Sequence, residues 1–153
     1  MRIALGADHA GVALKHDIKR LLDELHLAYE DIGTHTEQSV DYPDFAERVA
    51  RSVASGEFDR GILVCGTGIG MAIAANKIAG VRAAPVTDLD TARLSREHND
   101  ANVLALGGRV LSRERALEIV RAFLETPFAG GRHERRIKKI DLLESRAADA
   151  LKR

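Results

Sequence analysis

At 153 residues, with 45% hydrophobic and 30% charged side chains, the sequence has the composition of one soluble globular domain spanning 1–153, large enough to bury a core without disulfides. Its 23 Lys plus Arg balance 23 Asp plus Glu, which argues against nucleic-acid binding by bulk positive charge, and no apolar run approaches the roughly 20 residues of a membrane span. The single cysteine, Cys65, excludes a disulfide framework and any multi-cysteine zinc site. With no signal-peptide core after Arg2, a reducing, cytoplasmic setting is expected.

Short β-type runs alternate with helix-period runs. Arg2–Gly6 reads as a strand. Leu14, Ile18, Leu21, Leu22 and Leu25 then fall at i, i+4, i+7, i+8 spacing, the stripe of an amphipathic helix. Leu27–Ile32 is a second strand, stopped by Gly33. Pro43 suits the first turn of a helix whose apolar face is Phe45, Ala46, Val49 and Val53. Gly61-Ile62-Leu63-Val64 is continuously apolar, as in a strand buried on both faces of a parallel sheet. Met71–Ile78 reads as a helix with Gly80 as its stop, and Val81–Val86 as a strand weakened by Pro85. Asp88–Glu97 is helical, capped by Thr87 or Asp88. Val103–Leu106 is the fifth strand, closed by Gly107-Gly108. Ser112 starts a helix to Leu124. A loop from Thr126 to Gly131 leads to a last helix, Arg132–Lys152, with Ile137, Ile140, Leu143 and Leu151 on one side.

Five strands alternating with helices predict an α/β fold with a five-stranded parallel sheet, helices on both faces and a Rossmann-like, flavodoxin-like strand order 2-1-3-4-5. In that order strands 1 and 3 diverge and open a crevice at their carboxyl ends, where such sheets bind ligands. The residues there are Asp8-His9 and Cys65-Gly66-Thr67-Gly68-Ile69-Gly70. Three glycines in five residues, between a buried strand and a helix, leave backbone N–H groups aimed at one point. Such a turn suits a phosphate, a carboxylate or a developing oxyanion. It could also be a tight structural turn. It is no Walker A loop, because no Gly-Lys-Ser/Thr follows, and Met71 spoils a dinucleotide fingerprint.

Cys65 stands before a helix N-terminus, a place that favours a thiolate able to act as base or nucleophile, although buried cysteines at strand ends are commonly inert. Asp8 could bind a ligand or merely cap the next helix. His98-Asn99-Asp100 ends a helix: His98 is a candidate proton donor, or simply a favourable charge at a helix C-terminus. A metal site from His9, Cys65 and His98 lacks the short ligand spacings that metals need, and none is expected. Arg132 and Arg136, at i and i+4, and Arg109, after Gly107-Gly108, suit a phosphate. The stripe of the last helix lacks a home in its own subunit, so a second subunit is its natural partner.

Taken together, Gly6-Ala7-Asp8-His9-Ala10-Gly11, Asp41-Tyr42-Pro43, Gly61 through Met71, Ala74-Ala75-Asn76-Lys77, His98-Asn99-Asp100, Asn102-Val103-Leu104 and Gly130-Gly131-Arg132-His133 with Arg136 resemble type B ribose-5-phosphate isomerase across nearly the whole chain. The resemblance implies reversible conversion of D-ribose 5-phosphate to D-ribulose 5-phosphate in the pentose phosphate pathway, without metal or organic cofactor. By carry-over, Cys65 is the base that moves a proton between C2 and C1. Gly66, Gly68, Ile69 and Gly70 hold the enediolate, helped by Thr67. His98 opens the sugar ring, Asp8, His9 and Asn99 contact the substrate, and Arg109, Arg132 and Arg136 with His9 surround the phosphate. Another branch of the family has a glutamate base at the position held here by Met71, which leaves Cys65 as the candidate. The resemblance further implies a homodimer or tetramer with sites at the subunit interface.

A galactose-6-phosphate isomerase subunit or an allose-6-phosphate isomerase would share this chemistry, with one carbon more between the reacting centre and the phosphate. A non-catalytic phosphate-binding module on the same fold is the alternative of a different class. Such a module has no need for a thiolate beside the glycine turn.

Overall fold

The apolar runs form five strands in the computed structural model, which describes residues 1–153. They are β1 (Arg2–Ala7), β2 (Ala28–Gly33), β3 (Arg60–Cys65), β4 (Ala83–Pro85) and β5 (Val103–Gly107), and every pairing is parallel. The helices are α1 (Val12–Glu24), α2 (Tyr42–Ala54), α3 (Ile69–Ala75), α4 (Leu89–Glu97), α5 (Arg113–Glu125) and α6 (Arg132–Leu151). Alternation along the strands divides the core in two. Ile3, Leu5, Ile62, Val64, Leu104 and Leu106 face α1 and α5, while Ala4, Leu63, Cys65, Val103 and Ala105 face α2 and α3.

The order is β2-β1-β3-β5-β4, which corrects the expected 2-1-3-4-5 at its last two places. Hydrogen bonding decides this. β4 has three residues and ends in Pro85, which has no N–H to give a neighbour, so it belongs at the edge. All five residues of β5 are buried, as a central strand requires. The exchange matters for the site. It sets Gly107 beside Cys65 in register and brings Arg109 one strand, about 4.8 Å, closer to β3.

Helix boundaries follow local chemistry. Asp88 caps α4, accepting the Thr91 N–H at 2.8 Å, and Ser112 caps α5, accepting the Arg115 N–H at 3.2 Å. The expected Met71–Ile78 helix starts and stops earlier. Gly68 is its N-cap, and the Asn76 side chain ends it by bonding both backbone groups of Ala83, at 2.8 and 2.9 Å. In α6, Ile137 is buried but Ile140, Leu143 and Leu151 are exposed, so the expected stripe finds no cover within the chain.

The Lys15 side chain is fully buried. Its ammonium donates to Asp31 Oδ1 at 2.7 Å and to the Thr34 carbonyl, and Lys19 donates to Asp31 Oδ2 at 3.0 Å. Burial alone would raise the Asp31 carboxyl, but these two ammoniums hold it below the usual carboxylate range. Asp31→Asn leaves a buried ammonium without its counter-charge, so a loss of about 3 kcal/mol is expected at pH 7 in urea melts. A carboxyl lowered in the fold stabilises it above the unfolded value. The difference between the two proteins should therefore shrink as pH falls below roughly 4. Equal stabilities at pH 7 would contradict this.

Candidate active site

Three strand ends meet around Cys65. β1 runs into Asp8, whose N–H donates to the Val64 carbonyl at 3.1 Å. β5 runs into Gly108 and Arg109, whose N–H groups donate to the carbonyls of Cys65 at 2.7 Å and Gly66 at 3.0 Å. Cys65, 4% exposed, closes β3, and its Sγ accepts the Gly68 N–H at 3.1 Å, a contact that strengthens when sulfur carries charge. Gly68 turns the chain at φ +82° with its Cα against the backbone of Ala105 and Leu106; a Cβ there would lie 3.0 Å from a backbone carbon. Beyond it, the first N–H groups of α3, at Ile69, Gly70 and Met71, have no intrahelical acceptor. Ile69 N–H reaches the Thr67 hydroxyl at 3.3 Å, and Thr67 is exposed.

Asp8 performs the capping role weighed above: its Oδ1 accepts the N–H groups of Ala10 and Gly11 at 3.0 and 3.2 Å. His9 Nδ1 accepts the Val40 N–H at 3.1 Å, which ties the loop before α2 to the site and leaves Nε2 to carry the proton of the neutral ring. The Arg109 guanidinium lies beside Gly66, within 3.6 Å of where a Cβ would stand. Asp8, His9, Cys65, Gly66, Thr67, Gly68, Ile69, Gly70 and Arg109 thus gather at the carboxyl ends of β1, β3 and β5.

The other expected residues lie elsewhere. His98 ends α4 and Asn99 follows it, at the amino edge of the sheet: the Asn99 carbonyl accepts from Arg82, just before β4. Arg132 and Arg136 begin α6 at the same edge, joined to α4 by a stack of His98 on His133 with ring centroids 4.3 Å apart and planes 14° from parallel. The length of β5, about 13 Å at ~3.3 Å per residue, separates this edge from Cys65. No carboxylate lies within 4.0 Å of the Arg109, Arg132 or Arg136 guanidinium. The chain therefore carries the candidate residues as two half-sets at opposite ends of its sheet.

Residues 3–140 match the family described as Ribose/Galactose Isomerase. The chain belongs to that family. It is 49% identical over 145 residues to ribose-5-phosphate isomerase B of Escherichia coli, with 95% of this chain and 97% of the relative covered. Its fold superposes on Clostridium thermocellum ribose-5-phosphate isomerase B with a TM-score of 0.95 at 52% identity, covering 96% and 99% of the two chains. The Mycoplasma genitalium ribose-5-phosphate isomerase B structure with bound ribulose-5-phosphate gives 0.91 at 43% identity, covering 94% and 96%. No helix is long and apolar enough to cross a membrane.

Two neighbours of these groups escaped the residue-by-residue reading. Tyr42, at the first turn of α2, lays its ring on Gly70, where a Cβ would come 2.6 Å from the ring. It therefore walls the mouth of the glycine turn of this family member. Its signal was the Asp41-Tyr42-Pro43 match. His133 is buried under His98. Burial first, then His98, Arg132 and Arg136, push its imidazole below the ordinary range against the opposing pull of Glu97. It stood in the sequence between two arginines that drew the attention.

Proposed function

We propose that this chain interconverts D-ribose 5-phosphate and D-ribulose 5-phosphate through an enediolate, as an aldose–ketose isomerase of the pentose phosphate pathway. The observation that carries the reading is the sulfur of Cys65 beside the glycine turn, with an N–H already donated to it. Cys65 removes the proton from C2 and returns it to C1. The hydroxyl at C2 gives up its proton as C2 becomes a carbonyl, and O1 takes one up, so the isomerisation is balanced. The N–H groups of residues 66–70 and the Thr67 hydroxyl stabilise the enediolate oxygens. One such donor is worth roughly 10²–10³-fold. Asp8 and His9 contact the sugar.

The working unit in this reading is a homodimer or tetramer in the cytoplasm. His98, Asn99, Arg132 and Arg136 of the partner subunit complete the crevice. His98 passes a proton to the ring oxygen, Asn99 lies beside the sugar, and Arg132 and Arg136 join Arg109 and His9 around the phosphate. The separation of the two half-sets and the exposed Ile140, Leu143 and Leu151 of α6 support it. A crevice lined by inward N–H donors suits an anion and repels a cation. Exhaustive chelation is expected to leave turnover unchanged; loss that a divalent ion restores would contradict this. The direct test is incubation with ribose 5-phosphate, galactose 6-phosphate and allose 6-phosphate, followed by detection of the isomerised sugar. Ribulose 5-phosphate as the dominant product supports the reading. Preference for a six-carbon sugar shifts the substrate, and no product from any of them sinks the isomerase.

A further inference from the structure

His98 is half-buried at the end of α4, and no hydrogen bond within the chain holds its ring. The ring of His133, 7% exposed at the start of α6, stacks on it with centroids 4.3 Å apart and planes 14° from parallel. We propose that His133 is a positioning residue for His98: its flat face fixes the imidazole that passes a proton to the sugar ring oxygen, a role that rests on the ring-opening assignment above. A second histidine is an unusual platform, because two charged imidazoles in contact repel. The surroundings answer that. His133 is faced by His98 and Glu97 from α4 and by Arg132 and Arg136 from its own helix, and burial, then these cations, disfavour its charged form against the opposing pull of Glu97. A neutral ring stacks on His98 without competing for the proton. The same contact ties His98 to Arg132 and Arg136, so the proton donor and the phosphate-binding arginines travel as one unit.

Two substitutions separate shape from titration. His133→Phe keeps a flat face and His133→Leu fills the buried position without one. With ribose 5-phosphate, His133→Leu is expected to lower kcat about tenfold or more, with KM within about twofold, whereas His133→Phe keeps kcat within about threefold. In the leucine variant the isotope effect from deuterium at C2 should shrink toward unity, because ring opening then limits the rate. A readout apart from turnover is the proton NMR signal of the His98 ring. It should lie upfield in the unmodified protein and in His133→Phe, and return toward its solvent value in His133→Leu. Equal losses in both variants, a change in KM alone, or an unshifted His98 signal in the unmodified protein would each overturn the proposal. His98→Asn tells this failure from that of the assignment beneath it. If His98→Asn slows turnover and His133→Leu does not, the positioning role alone falls. If His98→Asn turns over normally, ring opening by His98 falls, and the positioning role with it.

Discussion

Replacing Cys65 by alanine is expected to lower turnover of ribose 5-phosphate by roughly 10²–10⁴-fold, the worth of a positioned base, with KM changed severalfold at most. The asymmetry follows from position. The sulfur sits at the carboxyl end of β3 and accepts the Gly68 N–H, while the guanidinium beside Gly66 and the ring of His9 are held by other strands. Removing one sulfur leaves the binding groups in place and takes away the atom that moves the proton. Cys65→Ser should fail nearly as badly, since a hydroxyl is a far weaker base than a thiolate near neutral pH. Steady-state kinetics with isothermal binding of a non-reacting sugar phosphate separates the two effects. Turnover near that of the unmodified protein in either variant would remove Cys65 from the mechanism.

The second large effect is a recovery. Cys65→Ala alone and Arg132→Ala/Arg136→Ala alone should both be nearly inactive, yet a mixture allowed to exchange subunits should regain activity. In a two-fold dimer whose arginines act in the neighbouring site, each mixed dimer contains one site with the cysteine of one chain and the arginines of the other. Equal mixing makes half the dimers mixed, so about one quarter of the normal activity returns. The structure motivates this through distance: His98, Arg132 and Arg136 stand at the amino edge of the sheet, Cys65 at its carboxyl edge. No recovery after demonstrated exchange would place both half-sets in one site of one chain and contradict the shared site.

Much of this was legible in local chemistry. The buried run of β3, the caps Asp88 and Ser112, and the glycine turn are written in a few adjacent residues, and all stand where the sequence puts them. The order of β4 and β5 was not read correctly, although Pro85 carried the signal. Adjacency in a sheet is a long-range property, and one proline decides it only once the hydrogen bonds of neighbouring strands are counted. Lys15 belonged to the helix face of Ile18 and Leu22, at i, i+3 and i+7, yet a lysine reads as solvent-facing until Asp31 and the Thr34 carbonyl are seen beside it. The candidate site was legible in composition and not in arrangement. Every proposed group was visible in the chain, but that they fall at two ends of the sheet depends on helix direction and strand order together. The stack of His98 on His133 joins residues 35 apart, and no periodicity announces it.

In the proposed reaction a base on this protein carries a proton between C2 and C1 of the sugar. Turning over ribose 5-phosphate deuterated at C2 in ordinary water, and following the label by NMR into ribulose 5-phosphate and solvent, tests it most directly. A sulfur base that takes the deuteron can exchange it before returning it, so part of the label is expected in water, with a solvent proton at C1 of the product in those molecules. Complete retention of the deuterium at C1, with none in water, as a hydride shift requires, would contradict proton transfer through an exchanging base.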